Sequence, residues 1–457
     1  MLPIVTPDEM RAVDAAATEP VEVLIGRAGA AVARVAVRML GGTYGRTVDV
    51  IAGPGNNGAD GRVAAQLLVA KGIRVRVHDA GSVPAELSDT DLVIDAAYGT
   101  GFRGSWAGCD VGDAPVLAVD IPSGVDGLTG AATSGVIAAH RTVTFAALKP
   151  GLLFAPGREL SGVVEVADVG LDVGEVAAHL LERSDVVGWL PLRAATAHKW
   201  NAAVRVIAGS RTMTGAAALA SAAAMRAGAG MVAVSVPGLD DVPSLPVEVV
   251  QRPLPALGWA DEALRSFDRF HAVVLGPGLG RHDDTANSAR FTAVNTPLPL
   301  VVDGDGLFAL AWNAQGAAAL LRDRVAPTVL TPHDGEFQLL TGAAPERDRI
   351  VSARRLAFDT RSVVLLKGPT TVVASPEGRV LVVANGDERL ATAGSGDVLA
   401  GIIGALLARR MAPFEAAAVA AWVHGEAGRQ CLPVGTIASD LPLAVAAVLS
   451  DLQATAP

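Results

Sequence analysis

The sequence predicts an α/β protein of two domains, each built on a parallel sheet covered by helices on both faces. Short β-branched runs alternate with Ala/Leu-rich helical segments along nearly the whole chain. These runs are apolar on successive residues, which is how strands buried on both faces read. The alternation breaks once, between about residues 171 and 196, where a mixed-charge, helical-looking stretch ends in Pro191 and a polar turn. A chain of 457 residues is long for one domain, so the expected division is 1–189 and 190–457.

Thr6-Pro7-Asp8-Glu9 has the form of a capping box with proline at the first helical position. A second helix follows, with Leu24, Ala28, Val32, Val35 and Met39 at helical spacing. Past Gly41-Gly42 the expected strands are Val48–Ala52, Ile73–Val77, Leu92–Ile94, Val116–Val119, Val143–Phe145 and Val163–Val166. The second half is expected to hold strands Val204–Ala208, Val232–Val236, Val273–Leu275, Leu300–Val302, Val329–Leu330, Val363–Leu366 and Val380–Val383. An Ala-rich helix over Thr214–Ala227 and terminal helices Asp397–Arg409, Glu415–Arg429 and Leu443–Leu452 complete it. The two halves share a class but no motifs, which favours fusion over duplication.

Composition narrows the partners. A net charge of −10 repels a polyphosphate backbone, so nucleic-acid binding is disfavoured. No apolar run approaches the roughly 18 residues of a membrane span, and the N-terminus lacks the form of a secretory signal. The two cysteines, Cys109 and Cys431, are in no metal-ligand spacing and fit a reducing compartment. A soluble, cytoplasmic protein is expected.

In open parallel sheets ligands bind where the carboxyl ends of the strands meet helix N-termini, and the polar residues of the first half gather there. Strand Val48–Ala52 runs into Gly53-Pro54-Gly55-Asn56-Asn57-Gly58-Ala59-Asp60-Gly61. So many glycines let backbone amides approach an anion, while Asn56, Asn57 and Asp60 supply oxygens. The spacing is neither a dinucleotide fingerprint nor a P-loop; alone it also fits a capped tight turn. Asp95, ahead of Tyr98-Gly99-Thr100-Gly101-Phe102-Arg103-Gly104, and Asp120, in Asp120-Ile121-Pro122-Ser123-Gly124, end two further strands. Buried carboxylates need pairing, and Asn57, Asp95 and Ser123 are hard oxygen donors suited to an alkali or alkaline-earth ion.

The set GPGNNGADG, DAAYGTGFRG, AVDIPSGVDGLTG and TFAALKPG, within about residues 1–185, resembles the NAD(P)H-hydrate epimerase family. The resemblance implies a Rossmann-like three-layer sandwich that interconverts the C6 epimers of hydrated NADH and NADPH. It implies that Asn56, Asn57, Gly58, Ala59 and Asp60 line the substrate and that Asn57, Asp95 and Ser123 hold potassium. It further implies that Gly99, Thr100, Gly101, Phe102, Arg103, Gly104 and Ser105 bind the substrate phosphates, and that Asp120 is the acid/base at the nicotinamide, with Lys149 a nearby cation. Ala59 replaces a usual glycine; if the position needs positive φ, the cost is about 1 kcal/mol.

The strongest single signal is Asn385-Gly386-Asp387-Glu388-Arg389-Leu390-Ala391-Thr392-Ala393-Gly394-Ser395-Gly396-Asp397. Gly394 and Gly396 free the amides at a helix N-terminus, where the dipole favours an anion, and Asp397 in the first turn can deprotonate an attacking hydroxyl. With His198-Lys199, Leu275-Gly276-Pro277-Gly278-Leu279-Gly280, Val302-Asp303-Gly304-Asp305-Gly306-Leu307, Thr331-Pro332-His333-Asp334-Gly335-Glu336-Phe337 and Leu366-Lys367-Gly368-Pro369-Thr370-Thr371, it resembles the ADP/ATP-dependent NAD(P)H-hydrate dehydratases over residues 190–457. A ribokinase-like fold is implied, in which Ala217, Gly278, His333 and Asp397 contact the hydrated nucleotide. Lys367, Gly368, Pro369, Thr370 and Thr371, with Asn385, Gly386, Thr392, Ala393, Gly394, Ser395 and Gly396, would bind ADP or ATP with Mg²⁺, ADP being favoured. Trp200-Asn201 after His198-Lys199, and Asp334 beside His333, depart from the family pattern. His333 by itself reads as readily as a helix cap.

Dehydration by this route phosphorylates the C6 hydroxyl and then expels phosphate. The competing reading is a ribokinase-type small-molecule kinase, such as a hydroxymethylpyrimidine kinase, fused to a ligand-binding domain. It shares Asp397 but leaves the PHDGEF and GPGLG loops and the N-terminal set unexplained. A binding module with one degenerate domain fits poorly, because both halves keep their strand-end acids. The families also lead one to expect a homo-oligomer.

Overall fold

The computed structural model describes residues 1–104, 106–265, 267–312 and 316–455. The chain divides into two compact units, Leu2–Ala178 and His179–Pro457, the latter with Met1. The division lies before residue 190 for a physical reason: Leu181, Val186 and Leu190 are buried in the core of the second unit. Where a helical stretch was expected there is a strand, Ala178–Leu180, and only one short helix, Arg183–Trp189.

In the first unit, strands β1 (Leu2–Ile4), β2 (Thr47–Ala52), β3 (Arg74–Asp79), β4 (Leu92–Ala96), β5 (Val116–Val119), β6 (Arg141–Phe145) and β7 (Val163–Ala167) alternate with helices. β2 to β7 form a parallel sheet in the order β3-β2-β4-β5-β6-β7, and β1 adds a bridge between Ile4 and Leu148. Val48, Val50, Leu92, Ile94, Leu117 and Val143 pack on one face against the helix Val21–Leu40. Ile51, Val93, Val116 and Trp106 fill the other face. The order makes β2, β4 and β5 neighbours, and their carboxyl ends lie side by side, with Ala52 beside Ala96 and Asp95 beside Ala118. The first helix, Pro7–Ala16, has the expected capping box, Thr6 Oγ1 accepting from Glu9 N and Glu9 from Thr6 N.

The second unit contains β8 (Ala178–Leu180), β9 (Ala203–Ile207), β10 (Met231–Ser235), β11 (Val250–Gln251), β12 (Ala272–Leu275), β13 (Leu300–Val302), β14 (Thr328–Leu330), β15 (Val363–Leu366), β16 (Thr371–Ala374) and β17 (Val380–Val383). The strands run β8-β17-β16-β15-β14-β13-β12-β9-β10-β11. From β15 to β11 the ladders are parallel, as expected, but β15-β16 and β16-β17 are antiparallel. The Gly368-Pro369-Thr370 turn produces this by reversing the chain directly, with no crossover helix. Helices Thr214–Arg226, Ser395–Ala408 and Pro413–Gln430 pack on the sheet through alanine and glycine: a Cβ at Gly401 would come within 2.1 Å of the Ala220 carbonyl. Small residues bring the helix axes close, which is how a core so poor in aromatics reaches native density.

Candidate active sites

In the first unit the carboxyl ends of β2, β4 and β5 open into a cleft of about 540 Å³, lined by Asn56, Asn57, Asp60, Gly99, Thr100, Asp120 and Lys149 among others. β5 delivers Asp120 in the left-handed region, at φ +67°. Burial acts to raise this carboxyl, but Lys149 and three hydrogen bonds overcome it and hold it below the usual carboxylate range. Lys149 Nζ is 2.9 Å from Asp120 Oδ1, which also accepts from Thr144 Oγ1 at 3.2 Å, while Oδ2 accepts from Thr100 N at 3.1 Å. Lys149 is 1% exposed and donates also to Thr144 Oγ1 (2.8 Å) and Phe145 O (3.0 Å). A Cβ at Gly99 would be 2.9 Å from Asp120 Oδ2, so any larger residue would push that carboxylate aside.

The glycine-rich loop begins a helix, Asn56–Ala70, capped by Gly55 with no side-chain bond, so its first amides remain available to an anion. Gly58 fits beneath the loop because a Cβ would be 1.9 Å from Gly53 O. Ala59 lies inside the helix and not in the left-handed region, so alanine carries none of the expected cost. Asp60 is buried, and burial together with Asp120 and Asp14 pushes its carboxyl up to about 8.

Asp95 is fully buried and pushed up by desolvation, though it accepts from Ser123 Oγ (2.6 Å), Ser123 N (2.9 Å) and Ala97 N (3.3 Å). Both polar atoms of the Asn57 side chain are buried without a partner, and Asn57 Cγ and Oδ1 both border Gly99. Gly101 and Phe102 line the cleft; Phe102 packs tilted against Tyr98 with ring centroids 4.2 Å apart. Arg103 is exposed and donates to Phe102 O, and neither it nor Gly104 (φ +125°) lines the cleft. Ser105 lies outside the described residues. Sequence reading missed Thr144, and also Asp14 and Met10, which the first helix contributes to the wall; their i, i+4 spacing on a capped helix was the available signal.

In the second unit the ends of β13, β14 and β15 bring together Asp303, Thr331 and Lys367. Lys367 Nζ donates to Asp303 Oδ1 at 2.8 Å and lies 3.5 Å from Glu336 Oε2; Thr331 Oγ1 donates to Asp303 Oδ1 at 2.7 Å. Gly394, at φ +92°, turns the chain into helix Ser395–Ala408, and a Cβ at Gly396 would be 3.4 Å from Lys367 Nζ and 3.6 Å from Asp303 Oδ2. Asp397 therefore faces a carboxylate cluster. Desolvation first, then Asp303, push its carboxyl up to about 7, with Lys367 opposing.

Lys367 is thus a member of the acidic cluster, and Asp303 and Glu336 are the site residues that sequence reading quoted but left unassigned. His333 is the helix cap it could have been: Nδ1 accepts from Gly335 N (3.1 Å) and Glu336 N (3.2 Å). That leaves the N–H on Nε2, which lies 3.5 Å from Glu336 Oε1 on a side chain 59% exposed. Asp334 forms a bidentate pair with Arg349 at 2.8 and 3.0 Å. Gly278, at φ +61°, packs on Ala216 and Met213, whereas Ala217 is fully buried beneath Gly209 and shapes the floor without reaching the surface.

Gly368 borders Arg349, Thr370 is buried, and Thr371 begins β16, paired with Val383. Pro369 and Gly386 complete the two loops. Asn385 Nδ2 donates to Trp422 O (2.9 Å), so it pins its loop to the helix Pro413–Gln430. Ser395 Oγ donates to Leu390 O (2.8 Å), while Thr392 and Ala393 lead into the turn. After His198-Lys199, Asn201 Oδ1 accepts from His198 N (2.5 Å) and Trp200 packs edge-on against Phe270, so the departure closes a stable turn.

A family model described as NAD(P)H-hydrate dehydratase matches residues 204–448. One described as YjeF-related protein N-terminus matches residues 21–84 and 78–151. The chain is 38% identical over 442 residues, 90% of each chain, to the bifunctional NAD(P)H-hydrate repair enzyme of Mycobacterium leprae. It is 34% identical to that of Escherichia coli over 83% of this chain and 79% of that one. Among solved structures, the ADP/ATP-dependent NAD(P)H-hydrate dehydratase of Bacillus subtilis, co-crystallized with ATP/Mg²⁺, is 28% identical with TM-score 0.52, covering 60% of this chain and 98% of that one. The chain therefore belongs to the bifunctional NAD(P)H-hydrate repair enzymes, with an epimerase domain followed by a dehydratase domain.

Proposed function

We propose that the first cleft epimerises hydrated NADH and NADPH at C6 with Asp120 as the acid/base. The observation that carries this is the buried Asp120–Lys149 pair at the foot of a cleft that also presents open helix amides. Lys149 keeps Asp120 ionised, Thr100 and Thr144 orient its two oxygens, and the carboxylate beside the ring can take up a proton or guide the leaving and returning water. The Asn56 end of the helix receives a phosphate. Asn57, Asp95 and Ser123 would hold potassium: an orphaned amide oxygen at Asn57, and at Asp95 a fully buried carboxylate without a cationic partner among the described residues, are hard oxygen donors that suit it. Bound there, the ion would offset the charge of Asp95 and fix the loop.

In the second domain Asp397 is the base for nucleotide-dependent dehydration of the S hydrate. It takes the proton of the C6 hydroxyl as that oxygen attacks the terminal phosphorus of ADP or ATP, whose bond to the bridging oxygen breaks to release AMP or ADP, and the amides around Gly394 to Gly396 stabilise the transferred charge. The ring nitrogen lone pair then expels phosphate from C6, and loss of a C5 proton from the resulting iminium ion restores the dihydronicotinamide. Asp303, Glu336 and Asp397 against Lys367 alone leave the cluster net negative, which fits a divalent cation entering with ADP or ATP. Asp303 and Glu336 are the donors that would hold Mg²⁺, whose chemistry is to neutralise phosphoryl charge. The test incubates the protein with both hydrated NADH epimers and ADP, and follows return of dihydronicotinamide absorbance. Full recovery from both epimers is expected. Recovery of one epimer alone, with spontaneous epimerisation excluded, would remove the role of the first cleft. No recovery, with phosphorylation of another alcohol, would favour a kinase.

A further inference from the structure

The second domain has another cavity, of about 300 Å³, at the amino ends of its strands. Ala202 precedes β9, Gly228 and Gly230 precede β10, and Arg409 ends helix Ser395–Ala408; all four line it. Asp397 is in the first turn of that same helix, so at 1.5 Å per residue the cavity is about 18 Å from the reactive carboxylate.

The charged side chains of the lining are Arg193 and Arg409, both cationic; His198 adds an imidazole, and no carboxylate lines the cavity. Arg409 is held in place by neutral partners, donating to Ala227 O at 3.2 Å and to Pro191 O. Those carbonyls fix the guanidinium without supplying a full counter-charge. Burial and the neighbouring Arg193 both depress Arg409 below its ordinary value. Arg193 is exposed and makes no hydrogen bond or ion pair among the described residues. His198 Nδ1 accepts from Trp200 N at 3.4 Å, which leaves the proton on Nε2, and Asn201 Oδ1 is taken by His198 N, which leaves its amide NH₂. Two guanidinium groups facing one cavity repel each other until an anion enters.

We propose that this cavity is a second ligand site of the dehydratase domain, taking a multiply charged oxyanion of pyrophosphate type, free or as the diphosphate of a nucleotide. Arginine forks match phosphate oxygens in pairs, and about 300 Å³ is the lower end of small-ligand clefts.

The test uses the full chain and two probes, inorganic pyrophosphate and ADP-ribose, in calorimetric titrations of the wild type and Arg193→Ser, with pyrophosphate-soaked crystals in parallel. Pyrophosphate is expected to bind the wild type with one equivalent more than the variant, or with that equivalent weakened about tenfold or more, and to give density between Arg193 and Arg409. Dehydratase activity with ADP and no added pyrophosphate is expected to be within about twofold of wild type in Arg193→Ser, which separates loss of the site from misfolding. An Arg193-dependent equivalent seen with pyrophosphate alone identifies a free oxyanion as the ligand; one seen with both probes identifies a diphosphate moiety. Identical isotherms for wild type and variant, or no density at the two arginines, overturn the proposal.

Discussion

Replacing Lys149 with methionine isolates the device on which the epimerase cleft depends. The substitution keeps the length of the side chain and deletes a charge that is 1% exposed and 2.9 Å from Asp120 Oδ1. At an effective dielectric constant of about 20, unit charges 2.9 Å apart attract by about 6 kcal/mol, most of it offset by the cost of burying both. What the variant exposes is the residue: Asp120, its side chain only 14% exposed, is left ionised without a partner, and breaking a buried pair this way costs about 3–5 kcal/mol. That is a large part of a domain's stability. Urea unfolding of the full chain, with epimerisation and dehydration assayed separately, measures it. The expectation is a loss of at least about 3 kcal/mol in the transition that abolishes epimerisation, and epimerisation about 100-fold slower, with dehydration of the S hydrate retained. Asp120→Asn in the same chain should restore more than half the lost stability, since a neutral amide needs no counter-charge. A single variant within about 1 kcal/mol of wild type, with epimerisation within twofold, would refute the role given to Lys149.

Two glycine and alanine positions make opposite predictions within one helix. Gly58→Ala drives a Cβ into the Gly53 carbonyl and should cost about 1–3 kcal/mol and most of the epimerase activity, read by the same assays. Ala59→Gly should lower stability by about 0.5–1 kcal/mol without raising activity, because the position is helical. Potassium should raise the melting temperature of the epimerase domain by mass action, seen by calorimetry against lithium, and Asp95→Asn should abolish the difference.

The sequence was most legible where a motif and a periodicity coincided. β5, β13, β15 and β17 fall on the residues expected, since runs such as Leu300–Val302 are short, apolar throughout and bounded by turn residues. β16 was missed because Thr370-Thr371 was read as part of a ligand loop, whereas Thr371 already pairs with Val383. Tertiary context also overrode the reading near residue 180, where Leu181 donates to Val382 O and so adds to a sheet that no local pattern announces. At the sites, Asp95 near the end of β4, Asp120 just past β5 and Asp397 in the first turn of its helix lie on the elements expected. Their partners were not legible. Thr144 reaches Asp120 from the neighbouring strand β6, and Asp303 reaches Lys367 across 64 residues of chain, contacts that only the register of the sheet creates.

The two sites use the same groups to opposite electrostatic ends, and this yields a prediction that neither site gives alone. In the first, the lysine is placed on the carboxylate proposed as acid/base, so Asp120 is held below its ordinary range and stays ionised across neutral pH. Its contribution to stability is present above the ordinary carboxylate value and is lost only as pH falls through the lower folded one. In the second, Lys367 is committed to Asp303 and Glu336, and Asp397, desolvated beside them, is raised to about 7. A raised carboxyl stabilises the fold below its unfolded value, and that contribution disappears as pH climbs through about 7. Dehydration should therefore rise about tenfold per pH unit up to about 7 and then level off, while epimerisation stays flat between pH 5 and 7 and changes only as Asp60 loses its proton at about 8. Asp397→Asn should abolish dehydration yet stabilise the domain by at least about 1 kcal/mol at pH 8, and by less at pH 6. Lys367→Met, which removes the one charge opposing the shift, should move the dehydration midpoint further upward. A dehydration rate independent of pH from 5.5 to 8, or an Asp397→Asn chain whose added stability does not grow with pH, would show that the cluster does not tune its base this way.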